Sequence, residues 1–124
     1  HISELNIKRL VVVCGGGNNG GDGFALSRLL HINGCHVVVF CFSDLSKISG
    51  DALTNLNILK KLGIEIRTSL EELKLQLLLS EGVVDAIFGT GLKGEVRSIY
   101  MEVFKCINEN AKYVLDVDMP SGID

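Results

Sequence analysis

CGGGNNGGDGF, residues Cys14 to Phe24, separates an apolar run typical of a buried strand from a segment typical of a helix. Glycines in such a stretch let the backbone approach a ligand closely, and the following helix presents free N–H groups to an anion. Gly15, Gly17 and Gly20 match the GxGxxG spacing of a dinucleotide-binding turn, which alone is a weak signal. The stretch therefore predicts a strand, a ligand-binding turn and a helix, the beginning of an α/β fold.

Two acidic residues count against an ordinary dinucleotide site. Asp22 is expected at the N-cap of the helix, where its carboxylate would satisfy the N–H groups that a pyrophosphate needs and would repel that anion. Asp44 is the acid available to a ribose after the second strand, and it comes slightly late in the sequence. Asn18 and Asn19 would instead offer amide groups to a ligand, or merely support tight turns.

Strands and helices alternate along the rest of the chain. The predicted strands are Arg9–Cys14, His36–Phe42, Ile64–Arg67, Val83–Phe88 and Tyr113–Val117. The predicted helices are Gly23–Asn33, Asp51–Leu62, a segment from Ser69 to about Ser80, and an amphipathic segment marked by Ile99, Val103 and Ile107 with Tyr100 and Phe104 flanking them. Strands joined by helices require right-handed crossovers. We therefore expect an α/β fold, a Rossmann-like three-layer αβα sandwich with a mainly parallel sheet in the order 3-2-1-4-5.

Spacing and capping residues predict the inward helix faces and the helix ends. The leucines expected to face the sheet are Leu26, Leu29 and Leu30 in the first helix and Leu53, Leu56, Leu59 and Leu62 in the second. The expected caps are Ser49 and Ser69, the latter in a capping box with Glu72, and the expected stops are Gly34 and Gly63.

Composition restricts the kind of protein. The 124 residues are long enough for one domain, and we expect a single domain over residues 1–124 that is truncated at both ends. The net charge of −3 provides no basic stripe for nucleic acid, and the apolar runs are far shorter than the roughly 18 residues of a membrane span. The four cysteines show no CxxC spacing and are interpreted as small apolar residues of a reducing compartment, so a cytoplasmic protein is expected.

Three polar or glycine-rich segments each follow a predicted strand. They are Gly15–Gly23, Gly89–Glu95 ("GTGLKGE") and Asp118–Asp124 ("DMPSGID"). In an open parallel sheet, ligands bind outside the carboxyl ends of the strands at the point where the strand order reverses. The three segments are therefore expected to line one cleft.

The side chains available to that cleft carry carboxylate, amide and hydroxyl oxygens but no thiol or imidazole. His1, His31 and His36 are expected at the surface away from it, which disfavours a Ser/His/Asp nucleophile. Asp85 lies within an apolar strand, where its carboxylate needs a partner: it either caps the neighbouring glycine loop or serves the site. With neutral oxygens from Asn19 and Ser121, it would suit a hard monovalent cation such as potassium.

Three long motifs make a family resemblance specific. "GGGNNGGDGF", "VVDAIFGTGLKGEVR" and "VLDVDMPSGID", in this order, resemble the YjeF N-terminal domain family, the NAD(P)H-hydrate epimerases. The match extends from about Leu10 to the last residue, and family domains are longer at both ends. Gly16 stands where the family frequently has proline, and Asp116 stands where it usually has a small or uncharged residue.

The resemblance implies an isomerase that interconverts the R and S epimers of hydrated NADH and NADPH for repair by a dehydratase, which is fused or separate, and a homodimer at full length. It implies Asp118 as the catalytic acid–base group that also contacts the substrate. It further implies potassium held by Asn19, Asp85 and Ser121. The implied substrate-binding residues are Asn18, Asn19, Gly20, Gly21, Asp22, Gly89, Thr90, Gly91, Leu92, Lys93, Gly94, Glu95 and Asp118.

Two other functions share the fold. A non-catalytic scaffold domain of the same family would be expected to have lost the oxygen cluster, whereas Asn19, Asp85, Asp118 and Ser121 all match. A dehydrogenase domain would use the GxGxxG turn but would not require the Asn-Asn-Gly-Gly-Asp run or Asp118.

Overall fold

The computed structural model describes residues 8–15, 20–87 and 94–116, and for residues 20, 21, 94–97 and 116 it describes the backbone alone. Strands and helices alternate along the described chain as the sequence predicts. The strands are β1 (Arg9–Cys14), β2 (His36–Cys41), β3 (Ile66–Arg67), β4 (Gly82–Ala86) and β5 (Val114–Asp116). The helices are α1 (Gly20–Ile32), α2 (Gly50–Lys61), α3 (Leu70–Leu79) and α4 (Gly94–Asn110), with a 3-10 helix at Leu45–Lys47.

The sheet has the order β3-β2-β1-β4-β5, and every pairing is parallel. This confirms the predicted order 3-2-1-4-5. β1 lies at the centre, and its Val11, Val12 and Val13 are fully buried because helices cover both faces of the strand. A continuous apolar run, rather than an alternating one, is the pattern such a strand requires.

The side chains of β1 divide the core into two clusters. Val12 and Cys14 face α1 and α2 and pack with Phe24, Leu56 and Leu59. The neighbouring positions, Val11 and Val13, face the opposite layer, where α3 and α4 supply Leu73, Leu77, Tyr100, Val103 and Ile107. The two clusters make the predicted three-layer sandwich.

The inward face of α1 differs from the prediction. Leu29 is 53% exposed, whereas Phe24 and Ser27 are fully buried, and Leu26 and Leu30 are partly buried at the edge of the cluster. The helix begins at Gly20 rather than at the predicted Gly23, and it lies so close to the sheet that a glycine and a serine occupy its inner stripe. The prediction took the inner face from the leucines alone, and it therefore gave the wrong rotation of α1 about its own axis.

The second helix shows the same kind of error. Leu56 and Leu59 are buried as predicted, but Leu53 and Leu62 are 40% and 41% exposed, and Ala52 completes the inner stripe instead. Positions 52, 56 and 59 follow the spacing of one helix face, so a small residue again stands where a leucine was expected.

The capping serines and the glycine stops are confirmed in position, but not every predicted capping bond forms. The Ser69 hydroxyl accepts a hydrogen bond from the Glu72 backbone N–H at 3.3 Å, while the Glu72 carboxylate pairs with the Arg67 guanidinium. Ser49 precedes α2 as expected but makes no side-chain capping bond. Gly34 and Gly63 end their helices with φ of 93° and 82°, a conformation that favours glycine.

Candidate functional site

Three strands end together at the carboxyl edge of the sheet. Cys14 of β1 is in register with Ala86 of β4, and Asp85 of β4 is in register with Asp116 of β5. The chain therefore leaves β1, β4 and β5 at one edge, and α1 and α4 begin on the far side of the two loops, at Gly20 and Gly94. We call this region the carboxyl edge.

Several predicted site residues lie outside the described residues, so their placement stays a prediction. They are Asn18, Asn19, Gly89, Thr90, Gly91, Leu92, Lys93, Asp118 and Ser121. Of the remaining predicted residues, Gly20, Gly21 and Asp22 form the first turn of α1, Gly94 and Glu95 begin α4, and Asp85 lies one residue before the end of β4.

Asp22 does not cap α1 from outside. The helix begins at Gly20, so Asp22 is its third residue and lies in the first turn, which corrects the prediction of an N-cap acid. A carboxylate within the first turn still interacts favourably with the positive end of the helix dipole. The argument that it would displace a pyrophosphate from the cap position therefore loses its geometric basis.

Asp85 is half-buried at the end of β4. Its Oδ1 accepts a hydrogen bond from the Ile87 backbone N–H at 3.1 Å, a turn back onto the chain two residues further on. This turn ends the strand at Ala86, whereas the sequence predicted a strand that continues to Phe88. The carboxylate thus has a local structural role, and as an acceptor it can serve more than one donor or a cation.

The end of β1 is held from the α1 side by close packing. A Cβ on Gly23 would lie 2.6 Å from the Cys14 Sγ and 3.4 Å from the Ala86 Cβ, so α1 can approach the sheet this closely because residue 23 is glycine. The buried Ser27 hydroxyl donates to the Gly23 carbonyl oxygen at 2.8 Å. Burial, followed by the neighbouring Cys41, raises the pKa of the Cys14 thiol, which makes it a packing group rather than a nucleophile.

The same strand end is held from the α4 side by a hydrogen bond. The fully buried Tyr100 donates its hydroxyl proton to the Cys14 carbonyl oxygen at 3.0 Å. Its hydroxyl oxygen also lies 3.0 Å from the Ser43 Oγ, just beyond β2. Burial raises the pKa of Tyr100 to about 12, so the hydroxyl remains a neutral donor at physiological pH.

The acid that a dinucleotide ribose would require is already engaged. The Asp44 carboxylate accepts hydrogen bonds from the Ser46 backbone N–H at 3.0 Å and from the Ser46 hydroxyl at 2.7 Å. These bonds lower the pKa of Asp44 and cap the short 3-10 helix. Both bonds use Oδ1, so Asp44 has a local structural role that does not by itself decide whether it could also bind a ribose.

Sequence reasoning missed three residues at the carboxyl edge. Gly23 was treated as the start of a helix, Tyr100 as a residue flanking an apolar stripe, and Ser43 was not considered. A tyrosine on the inward face of a helix is the one signal available in the sequence, because a buried phenol needs a hydrogen-bond partner.

A second region, the amino edge, contains a cavity of about 430 Å³. It lies where α1 and α2 end and where β2 and β3 begin, and His31, Cys35, His36, Glu65 and Arg67 are among its lining residues. His36 is exposed, as predicted, and His31 is half-buried. Within residues 8–15, 20–87 and 94–116, no cluster of three or more His, Cys, Asp or Glu side chains is placed to hold a metal ion.

Two further expectations concern membranes and cysteines. None of the helices in the described part of the chain is long and apolar enough to cross a membrane. All four cysteines are free thiols, with Cys14 and Cys41 buried and Cys35 and Cys106 half-buried, in agreement with their interpretation as apolar residues.

Two proteins that are similar to this chain have names that refer to NAD(P)H-hydrate. The "Bifunctional NAD(P)H-hydrate repair enzyme Nnr" of Moorella thermoacetica is 42% identical over 122 residues, which are 94% of this chain and 23% of that protein. The "NAD(P)H-hydrate epimerase" of Limosilactobacillus reuteri is 37% identical over 124 residues, all of this chain and 57% of that protein. The chain thus spans a little over half of the latter relative and about a quarter of the bifunctional one.

A solved structure has the same fold. The crystal structure of yeast YNL200c superimposes with a TM-score of 0.67 at 29% sequence identity, and the match covers 93% of this chain and 49% of that one. The family model described as "YjeF-related protein N-terminus" matches residues 2–124. This match over nearly the whole chain shows that the chain belongs to the family of YjeF-related protein N-terminal domains.

Proposed function

We propose that the protein is an NAD(P)H-hydrate epimerase, which interconverts the R and S epimers of hydrated NADH and NADPH. The observation that carries the proposal is the convergence of β1, β4 and β5 on one edge, because each strand leads directly into a motif of the epimerase resemblance. The relative from Limosilactobacillus reuteri, which aligns with the whole chain, carries that activity in its name.

The carboxyl edge offers the chemistry that an anionic cofactor needs. The first turns of α1 and α4 begin at Gly20 and Gly94 and present backbone N–H groups and positive dipole ends towards the edge. We therefore assign the residues 18–22 and 89–95 to substrate binding. Asp118, two residues beyond Asp116 of β5, would contact the hydrated ring.

Epimerisation requires the hydroxyl at C6 of the ring to leave and return on the other face. The ring nitrogen can share its lone pair with C6 as the C–O bond breaks, so a protonated carboxyl of Asp118 would release the hydroxyl as water. The resulting carboxylate would then accept a proton from water adding to the opposite face. Atoms and electrons balance without an oxidant or reductant.

Potassium fits the donors assigned to this edge. The half-buried Asp85 carboxylate lies at the carboxyl end of β4, in register with Asp116, where a cation would offset negative charge. Amide and hydroxyl oxygens from Asn19 and Ser121 would complete an oxygen-only set, which hard cations prefer. When bound, the ion would supply electrostatic stabilisation of this edge and no redox or proton chemistry.

We further propose that the protein at its natural length is a cytoplasmic homodimer that works with an NAD(P)H-hydrate dehydratase, either fused or separate. The bifunctional name of the Moorella thermoacetica relative motivates the dehydratase. Sedimentation of the natural-length protein tests the dimer.

An assay that resolves the two epimers tests the function. Pure S and pure R hydrated NADH and NADPH are incubated with the natural-length protein in potassium salts, and each epimer is expected to convert to the same mixture. Replacing potassium with a large organic cation should slow the reaction or lower the stability. A protein that leaves each epimer unchanged is not an epimerase. Hydride transfer by that protein would then indicate a dehydrogenase domain, and its absence would indicate a non-catalytic scaffold.

A further inference from the structure

The hydroxyl of Tyr100 connects three parts of the carboxyl edge. The ring lies in the core between α4 and the sheet, with Val103 and Ile107 along the same helix face. The ring is perpendicular to that of Phe42, with the ring centroids 6.3 Å apart. The hydroxyl extends to the end of the core and contacts the Cys14 carbonyl oxygen and the Ser43 Oγ, each at 3.0 Å.

The direction of these hydrogen bonds follows from the proton count. A phenol has one proton, and the backbone carbonyl of Cys14 can only accept, so Tyr100 donates to Cys14. The Ser43 hydroxyl is then the donor to the Tyr100 oxygen. The chain of bonds runs from the end of β2 through α4 to the end of β1, where the glycine-rich loop begins.

This link has a mechanical consequence. Cys14 is the last residue of β1, and α4 follows the second loop assigned to the substrate. The close contact of Gly23 with Cys14 fixes the strand end from the other face. Without the hydroxyl, the Cys14 carbonyl would lose a buried partner and the loop would lose its fixed origin relative to α4.

We infer that Tyr100 is a positioning residue for substrate binding, which holds the start of the Gly15–Gly23 loop in register with α4 and with the end of β2. The inference rests on the proposed function for its catalytic consequence. Tyr100 does not itself touch the substrate; it acts through the Cys14 carbonyl and the loop that follows.

The test compares matched variants of the natural-length protein. Tyr100→Phe removes the hydroxyl and keeps the ring; Tyr113→Phe makes the same change at a tyrosine that is 72% exposed. Val103→Ala shortens a fully buried residue on the same face of α4 and leaves the hydroxyl bonds in place. Epimerisation is measured well below the unfolding temperature and corrected for the folded fraction, with KM and kcat determined separately.

The positioning role predicts a rise in KM of about tenfold for Tyr100→Phe, with a much smaller change in kcat, because the two hydrogen bonds that join Tyr100 to the ends of β1 and β2 are lost. Tyr113→Phe and Val103→Ala should retain the wild-type KM. A Tyr100→Phe protein with wild-type KM, or a KM that rises equally in Val103→Ala, would overturn the inference. If Tyr100→Phe does not fold, the Ser43→Ala variant tests the inference instead. A rise in KM of about threefold in that variant supports the positioning role of Tyr100, and an unchanged KM refutes it.

Hydrogen exchange tests the positioning role of Tyr100 without relying on epimerase activity. Backbone amides in a peptide covering residues 15–23 should exchange faster in Tyr100→Phe than in wild type, whereas Tyr113→Phe should match wild type. If the wild-type protein does not epimerise, the proposed function fails, and exchange still decides the positioning role. Equal exchange of that peptide in wild type and Tyr100→Phe refutes it.

Discussion

The carboxyl edge and the amino edge are built from the same strands and helices but differ in chemistry. At the carboxyl edge, α1 and α4 begin and expose N–H groups, and Asp85, Ser43 and the Tyr100 hydroxyl lie close by. At the amino edge, α1 and α2 end, so carbonyl groups and negative dipole ends face the cavity of about 430 Å³. We therefore propose that the phosphate of an anionic cofactor binds at the carboxyl edge, where helix N-termini attract anions, rather than in the amino-edge cavity.

The largest expected effect of a substitution at the carboxyl edge is that of Asp118→Asn. The asparagine keeps the size of the side chain but cannot cycle a proton, so epimer interconversion should fall by about 10²- to 10⁴-fold while the protein stays folded. The measurement is the rate of interconversion of pure epimers, beside circular dichroism of the variant.

Asp116→Asn and the double variant are the controls for Asp118→Asn, because Asp116 lies two residues earlier and could substitute for it or raise its pKa. Near-wild-type rates in both single variants and in the double variant would exclude an acid–base role for either residue, even if the protein is an epimerase.

Gly23→Ala should show that close packing holds the end of β1. The added methyl group would meet the Cys14 Sγ, so the free energy of unfolding should fall by about 1–3 kcal/mol in urea denaturation. Adding Cys14→Ala should recover about half of the loss, because the sulfur that obstructs the methyl is removed.

Gly34→Ala is the matched change at the amino edge. Gly34 has φ of 93° and no atom within 4 Å of an added Cβ, so the cost of about 1 kcal/mol arises from backbone strain. Cys14→Ala should not relieve it. If Cys14→Ala restored the free energy of unfolding equally when combined with Gly23→Ala and with Gly34→Ala, the packing explanation at Gly23 would be wrong.

The pH dependence of stability tests the buried hydroxyl of Tyr100. Its folded pKa of about 12 exceeds its ordinary value of 10.0, so the folded state holds the proton more tightly. The stabilisation is complete below pH 10 and is lost as the pH rises towards 12. Tyr100→Phe should be less stable than wild type by about 1–2 kcal/mol at pH 8, and the gap should narrow by about 1.4 kcal/mol at pH 11.

Urea denaturation of both proteins at pH 8 and pH 11 measures this gap. Burial also raises the pKa values of the Cys14 and Cys41 thiols, and a hydrogen bond with Tyr100 lowers that of Cys41. Both proteins therefore carry Cys14→Ala and Cys41→Ala in this measurement, so that no thiol titration enters the difference. Tyr113→Phe should follow wild type at both pH values. A gap that stays constant would mean that Tyr100 ionises as a solvent-exposed phenol does.

The smallest expected effect is at the amino edge. His36 is exposed and lines the cavity there, so His36→Gln should change the stability by less than about 0.5 kcal/mol and leave the epimerisation rate within about twofold of wild type. A large loss of activity in this variant, measured in the same epimer assay, would indicate that the active site lies at the amino edge.

The sequence predicted the topology well because the topology depends on a coarse pattern. Apolar runs such as Arg9–Cys14, separated by helical segments, permit few right-handed arrangements, and the order 3-2-1-4-5 followed. Helix rotation was harder to predict, since Phe24 and Ser27 rather than Leu29 face the sheet. That outcome depends on how closely α1 approaches Cys14, a distance that a list of apolar residues does not contain.

The location of the candidate site stays a prediction, and the residues that support it could not be predicted. The motifs after each strand predict a site at the carboxyl edge, because parallel strands end together. The Tyr100 hydroxyl bonds to a residue 86 positions away, and the inward position of a tyrosine is its only signal in the sequence. The close contact of Gly23 with Cys14 has no such signal. Asp22 was assigned to the wrong capping position because α1 begins three residues earlier than its apolar pattern indicates.

The choice between the two edges is tested most directly by a crystal structure of the natural-length protein with NADP⁺ bound in a potassium salt. We expect the nicotinamide ring at the carboxyl edge, in contact with residues that follow β1, β4 and β5, and phosphate oxygens at the first turn of α1 or α4. A cofactor bound in the amino-edge cavity, against His31 and Arg67, would contradict the assignment.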